Sequence, residues 1–155
     1  MRHAKAERPV GIADRDRPLA VRGRHDAAAI GRALARLDPA PSVVATSPAL
    51  RAHQTAETTT SAAGWGIRPT VREGLYGGGI DEVLAVVLST DADVMVLVGH
   101  EPAWSAAVAA LTGASVRMVT AAVAAVEIPA GPALLGRGSI LWMLTPRLVE
   151  GGRPA

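Results

Sequence analysis

The amino-acid sequence predicts an α/β fold with a largely parallel sheet, on three observations. Two short β-branched runs, SVVAT at 42–46 and DVMVLV at 93–98, alternate with longer segments of helical apolar spacing. Each run is followed by a turn that opens a helix, Ser47-Pro48 after the first and Gly99-His100-Glu101-Pro102 after the second. The apolar share of 49% is mostly Ala, Val and Leu, with no Phe and one Tyr, which suits packed helices and buried parallel strands.

Taken in order, residues 26–37 place Ala27, Ile30, Leu34 and Leu37 on one helical face, and Pro39 and Pro41 stop that helix. After the first strand, the Ser47 hydroxyl is the expected N-cap of a helix with Pro in its first turn, ending at Gly64. An extended piece at 67–71 leads into the loop REGLYGGG; a helix follows at 81–88, then the strand at 93–98. The segment AWSAAVAAL is a helix closed by Gly113, and 122–128 and 139–144 are extended around a Pro/Gly loop. The length of 155 residues suits a single domain over 1–150, with GGRPA at 151–155 as a disordered tail.

Composition excludes several classes. Lys+Arg 16 against Asp+Glu 14 leaves a net charge of only +2, and no basic run interleaves with aromatics, so a nucleic-acid partner is not expected. The absence of Cys removes disulfides, thiolate metal sites and a Cys nucleophile. His25 and His53 show no HxxxH-type spacing, so neither a metal nor another cofactor is expected. No basic segment precedes an apolar stretch and no apolar run is long enough to span a bilayer, so the expectation is a cytoplasmic protein without membrane attachment.

Four segments carry the chemistry: RHAKA at 2–6, DRPLAVRGRHDA at 16–27, SPALRAHQTAE at 47–57 and LVGHEP at 97–102. In an open α/β sheet, ligands sit beyond the carboxyl ends of the strands. His100 lies just past one strand, Arg51 lies in the first turn of a helix that follows another, and Arg2 and His3 begin the chain, so all four can share one sheet edge. In order and spacing these segments resemble the histidine phosphatase superfamily, in particular its short SixA-like phosphohistidine phosphatase branch, from Arg2 to about Val126.

The resemblance implies a three-layer α/β/α sandwich with a mostly parallel central sheet, phosphoglycerate mutase-like. It implies a metal-independent phosphatase in which His3 attacks phosphorus and forms a covalent phospho-His3 intermediate. Arg2, Arg51 and His100, with Arg17 as a further contact, would hold the phosphate oxygens, and guanidinium forks match those oxygens as an ammonium does not. Glu73, ahead of Gly74-Leu75-Tyr76-Gly77, is the candidate proton donor. The implied substrate is a protein phosphohistidine. A small-molecule phosphate ester, or a phosphoprotein bound without turnover, remains open, as does the oligomeric state.

Three departures from the family pattern carry expectations. Met1 alone precedes the Arg-His pair where relatives have an apolar strand, so the first central strand is cut short; a native start several residues upstream is the expectation. Ala20 replaces a capping Thr, and Glu101 replaces an Asn, where its carboxylate either repels a phosphate dianion or points away.

Overall fold

The computed structural model describes residues 1–131 and 133–151. Helix α1 (Val21–Leu34) leads to strand β1 (Val43–Thr46), α2 (Leu50–Ala63), β2 (Thr70–Val71), α3 (Ile80–Leu88), β3 (Met95–Val98) and α4 (Ala103–Thr112). A hairpin of β4 (Val123–Glu127) and β5 (Ser139–Leu144), then a short α5 (Pro146–Val149), complete the described chain. Strands β2, β1 and β3 pair in parallel in that order, with Val43 opposite Met95 and Thr46 opposite Val98, while β4 and β5 pair antiparallel.

Residues 1–3 join these two sheets. The Met1 amine donates to the Leu97 carbonyl (2.7 Å), Gly99 N–H to the Met1 carbonyl (3.1 Å) and His3 N–H to the Gly99 carbonyl (2.8 Å). On the other side Arg2 N–H donates to the Ala122 carbonyl (3.0 Å) and Ala121 N–H to the His3 carbonyl (3.2 Å). Three residues thus satisfy backbone groups on both flanks of the slot, at the end where β3 runs into His100. Burial pushes the Met1 amine down to about 5, because a charged ammonium in that slot would have lost its water.

The strands obey a period of two. Val44, Val98 and Val123 face Leu19, Ala27, Ile30, Leu34, Ala52 and Ala56 around α1 and α2. Their neighbours Ala45 and Ala122 face Leu75, Val83, Val86, Trp104, Ala107 and Met118 around α3 and α4. Two helical layers therefore sandwich the sheet, in agreement with the three-layer α/β/α expectation. Gly31 lets α1 and α2 meet: a Cβ there would lie 2.5 Å from the Thr59 carbonyl oxygen.

Some boundaries differ from the sequence expectation. Helix α1 starts at Val21, five residues before Asp26, because its first turn is largely solvent-facing and shows no apolar period. It stops at Leu34, and Leu37 closes the following turn through a bond to the Leu34 carbonyl. Ser47 is not the N-cap of α2: that position is Ala49, whose N–H donates to the Ser47 hydroxyl (3.2 Å), and the same hydroxyl meets His100 Nε2 (2.7 Å). Ala20 precedes α1 without a side-chain cap. Helix α5, with Thr145 accepting from Leu148 N–H (3.3 Å), was not anticipated. Apart from Gly151, the expected tail lies outside the described residues.

Candidate active site

The Arg-His pair is delivered by the slot that residues 1–3 occupy, and the next residue is locked from α2: Ala4 N–H donates to Thr55 Oγ1 (3.0 Å). The His3 ring is fixed by its own backbone neighbourhood. Its Nδ1 lies 2.7 Å from the Ala4 carbonyl oxygen, and since a carbonyl only accepts, Nδ1 carries the proton and Nε2 presents a lone pair. Arg51 Nε donates to that Nε2 at 3.3 Å.

His100 follows β3 at the same sheet edge, its ring centroid 4.9 Å from that of His3. Arg51 Nη2 stands 3.5 Å from His100 Nδ1, which accepts, so Nε2–H of His100 donates to the buried Ser47 Oγ at 2.7 Å. The chain can turn tightly before His100 because Gly99 lacks a side chain: a Cβ there would meet the Trp104 indole at 2.4 Å. Trp104 is part of the core around α3 and α4.

Both imidazoles are held neutral near pH 7. Burial pushes His3 down to about 4, and the nearby His100, Arg51 and Arg2 push the same way against the Ala4 carbonyl. His100 also lies at about 4, from burial and then from Arg51, partly opposed by Asp14. A neutral imidazole with a fixed tautomer has the lone pair that nucleophilic attack needs.

Arg51 is buried, 7% exposed, and Arg2 Nη1 donates to the Met118 carbonyl (2.8 Å) while its Nε is buried with no partner among the described residues. Arg17 donates through Nε to the Glu7 carbonyl and through Nη1 to Asp14 Oδ1, both at 2.8 Å. The guanidinium groups of Arg2 and Arg51 beside neutral imidazoles make a field that favours an anion and disfavours a metal cation.

The four residues expected at one edge do not all sit alike. Arg51 touches both imidazoles, and Arg2 arrives beside His3 along the backbone. Glu73 is on the rim: it belongs to a short turn, Glu73–Leu75, is bound by Arg15 Nη2 at 3.0 and 3.1 Å, and makes no hydrogen bond to either imidazole among the described residues. Glu101 turns away from the histidines, accepting from Ser105 N–H (3.1 Å) and Ser105 Oγ (2.7 Å) in the first turn of α4. Tyr76 stands edge-on to His100, centroids 5.7 Å apart, and its hydroxyl donates to Asp14 Oδ2 at 3.2 Å. Sequence reasoning gives Ser47 only a capping role and places neither Thr55 nor Asp14 in the site. Ser47 and Thr55 were legible as parts of the SPALRAHQTAE segment, whereas Asp14 lies in a loop with no local signal.

The family model for the histidine phosphatase superfamily (branch 1) matches residues 1–78. An uncharacterized protein of Mycobacterium tuberculosis is 41% identical over 128 residues, 80% of this chain and 76% of that protein. One of Mycobacterium leprae is 39% identical over 121 residues, 73% of this chain and 71% of the other. Among solved structures, a protein of Agrobacterium tumefaciens assigned as the phosphohistidine phosphatase SixA superposes with a TM-score of 0.82 at 25% identity, covering 94% of this chain and 95% of that one. A counterpart with the same assignment from Nakamurella multipartitia is 40% identical, with a TM-score of 0.61 over 72% of this chain and 63% of its own. The protein histidine phosphatase SixA complexed with tungstate shares the fold, with a TM-score of 0.84 and 96% of each chain covered at 24% identity. With half the chain matched by the family model and these likenesses spanning most of its length, the chain belongs to the histidine phosphatase superfamily and is a SixA-like phosphatase.

Proposed function

We propose that this phosphatase hydrolyses phosphohistidine on proteins through a phosphoenzyme formed at Nε2 of His3. The observation that carries the proposal is the fixed tautomer of a half-buried, neutral His3: Nδ1–H is spent on the Ala4 carbonyl, and the unprotonated Nε2 accepts from Arg51 Nε. In the first step Nε2 attacks phosphorus, the P–N bond to the substrate imidazole breaks and that imidazole takes a proton from solvent. Water then attacks phosphorus, the P–Nε2 bond breaks, and inorganic phosphate leaves. Arg2, Arg51 and Arg17 hold the phosphoryl oxygens as their charge rises, and His100 joins them as a donor once its Nδ1 takes a proton beside the bound dianion.

The substrate class follows from the leaving group. An alkoxide must be protonated as it departs, whereas an imidazole, with a conjugate-acid pKa of about 6.5, departs readily. Glu73, the candidate acid, is engaged by Arg15 and bonded to neither imidazole. That arrangement favours P–N over ester hydrolysis, though an ester remains within reach if Glu73 swings free of Arg15. The test compares release of phosphate from a phosphohistidine peptide with that from p-nitrophenyl phosphate and sugar phosphates, for the unmodified protein and Glu73→Gln. Faster turnover of the peptide, changed less than about threefold by Glu73→Gln, is expected. Preference for the esters with a large loss in the variant would reverse the assignment to a phosphomonoesterase. An acid-labile phosphate on His3 is expected under both, and its absence would leave a phosphoprotein-binding module.

A further inference from the structure

All three nitrogens of the Arg51 guanidinium are already engaged by this chain. Its Nε goes to His3 Nε2. Its Nη1 goes to the Asp14 carbonyl oxygen, and its Nη2 goes to Asp14 Oδ2 at 2.8 Å, with His100 Nδ1 at 3.5 Å. The same carboxylate collects Arg17 Nη1 on Oδ1 (2.8 Å) and the Tyr76 hydroxyl on Oδ2 (3.2 Å). Three side chains from three separate segments thus converge on one small anion beside the two imidazoles.

The two partners differ in mobility. Arg51 is buried, and its charge would be uncompensated without an anion against it. The Asp14 side chain is 54% exposed and rides on a three-residue turn, Asp14–Asp16, with no buried residue of its own. The carboxylate can therefore swing into water while the guanidinium cannot leave. We propose that Asp14 is an intramolecular stand-in for the phosphoryl group: its carboxylate holds the oxygen-binding donors between turnovers and is displaced when phosphate binds, so that it lowers the affinity of the site for phosphate.

The exchange is close to balanced, because one anion replaces another on Arg51 and Arg17, and the cost of stripping water from Arg51 is met before substrate arrives. Phosphate brings a third non-bridging oxygen, which the proposed function assigns to Arg2. The returning carboxylate then competes with product, so inorganic phosphate is shed instead of inhibiting. Asp14, strongly held by Arg51, Arg17 and Tyr76 and pushed down to about 2 despite desolvation, stays ionised throughout the physiological range and competes at full charge.

This inference rests on the proposal that Arg51 and Arg17 hold phosphate oxygens, and its test separates the two. Calorimetry with inorganic phosphate is run on the unmodified full chain, Asp14→Asn, Asp14→Ala and Arg51→Ala, with melting temperatures recorded alongside. Binding about tenfold tighter in both Asp14 variants, the ratio expected on removing a charge-assisted competitor, supports the inference, as does a larger rise in melting temperature on adding phosphate. Equal or weaker binding in those variants, with phosphate still bound by the unmodified protein and lost in Arg51→Ala, overturns the stand-in role alone and leaves Asp14 as a structural support. Phosphate bound by none of the proteins, or bound as well by Arg51→Ala, overturns the phosphate site itself and the inference with it. Should the variants not fold, amide exchange in the unmodified protein decides: phosphate should speed exchange at the Asp16 and Arg17 amides, which close the turn around Asp14, and slowed exchange there overturns the inference.

Discussion

The floor of the site and its rim differ in what holds their side chains. On the floor, His3, Arg51 and His100 are pinned by backbone carbonyls, by Ser47 and by one another, and burial keeps both imidazoles neutral. On the rim, Asp14, Arg15, Arg17 and Glu73 are wholly or partly exposed and hold one another through ion pairs. Ion pairs at such exposure contribute about 0–1 kcal/mol and rearrange readily. Phosphoryl transfer gains from groups fixed in advance, so the floor is the part suited to chemistry and the rim the part suited to admitting, recognising and releasing substrate.

The largest effect that can break this contrast comes from the floor. His3→Ala should reduce kcat by about 10⁴ or more while leaving the melting temperature within a few degrees, because a neutral imidazole leaves no buried charge behind. Steady-state turnover and a thermal melt check it. An active variant would remove His3 from the chemistry; an unfolded one would make it a packing residue. Ser47→Ala should come next. It strips the acceptor from both His100 Nε2–H and Ala49 N–H, and two buried donors left unpaired cost roughly 1–3 kcal/mol each. Turnover should fall about tenfold to a hundredfold as the His100 ring loses its anchor, and unchanged turnover would show that Arg51 alone positions the ring.

The smallest effect is on pH dependence. His3 and His100 have folded-state values near 4, below the ordinary 6.5, so between those limits the unfolded chain binds protons that the folded chain refuses. Stability should therefore fall as pH drops from about 6.5 toward 4. Asp14 acts in the same direction at lower pH: its depressed pKa contributes stability above 3.8 that is lost as pH falls through about 2. Melting temperatures should decline from about pH 6.5 to 4, and a flat profile would mean that the floor is wetter than its geometry implies. The acid limb of kcat/KM, which reports the free enzyme, should lie nearer 4 than 6.5.

The strands β1 and β3 were legible because buried parallel strands must be apolar on both faces, and Val43–Thr46 and Met95–Val98 are. Helix α1 was half legible: Ala27, Ile30 and Leu34 mark its buried face, but nothing local marks its first turn. Its Gly23 owes its identity to a distant backbone, since a Cβ there would lie 2.1 Å from the Lys5 carbonyl oxygen. In the site, His3, Arg51 and His100 stood out as motif members at strand ends, and the family supplied their expected roles. Their supports did not stand out, because Asp14 lies 37 residues from Arg51 and Ser47 lies 53 from His100.

By itself the sequence determined the α/β class, the family and the two imidazoles, because apolar periodicity and motif spacing are properties of short segments. Only the tertiary structure decided that residues 1–3 bridge two sheets, that Ser47 serves a histidine as well as the start of a helix, and that an aspartate from a loop occupies the arginine fork. Each of those outcomes depends on desolvated donors and acceptors finding partners across the fold, and no stretch of sequence records which buried group will be left to satisfy.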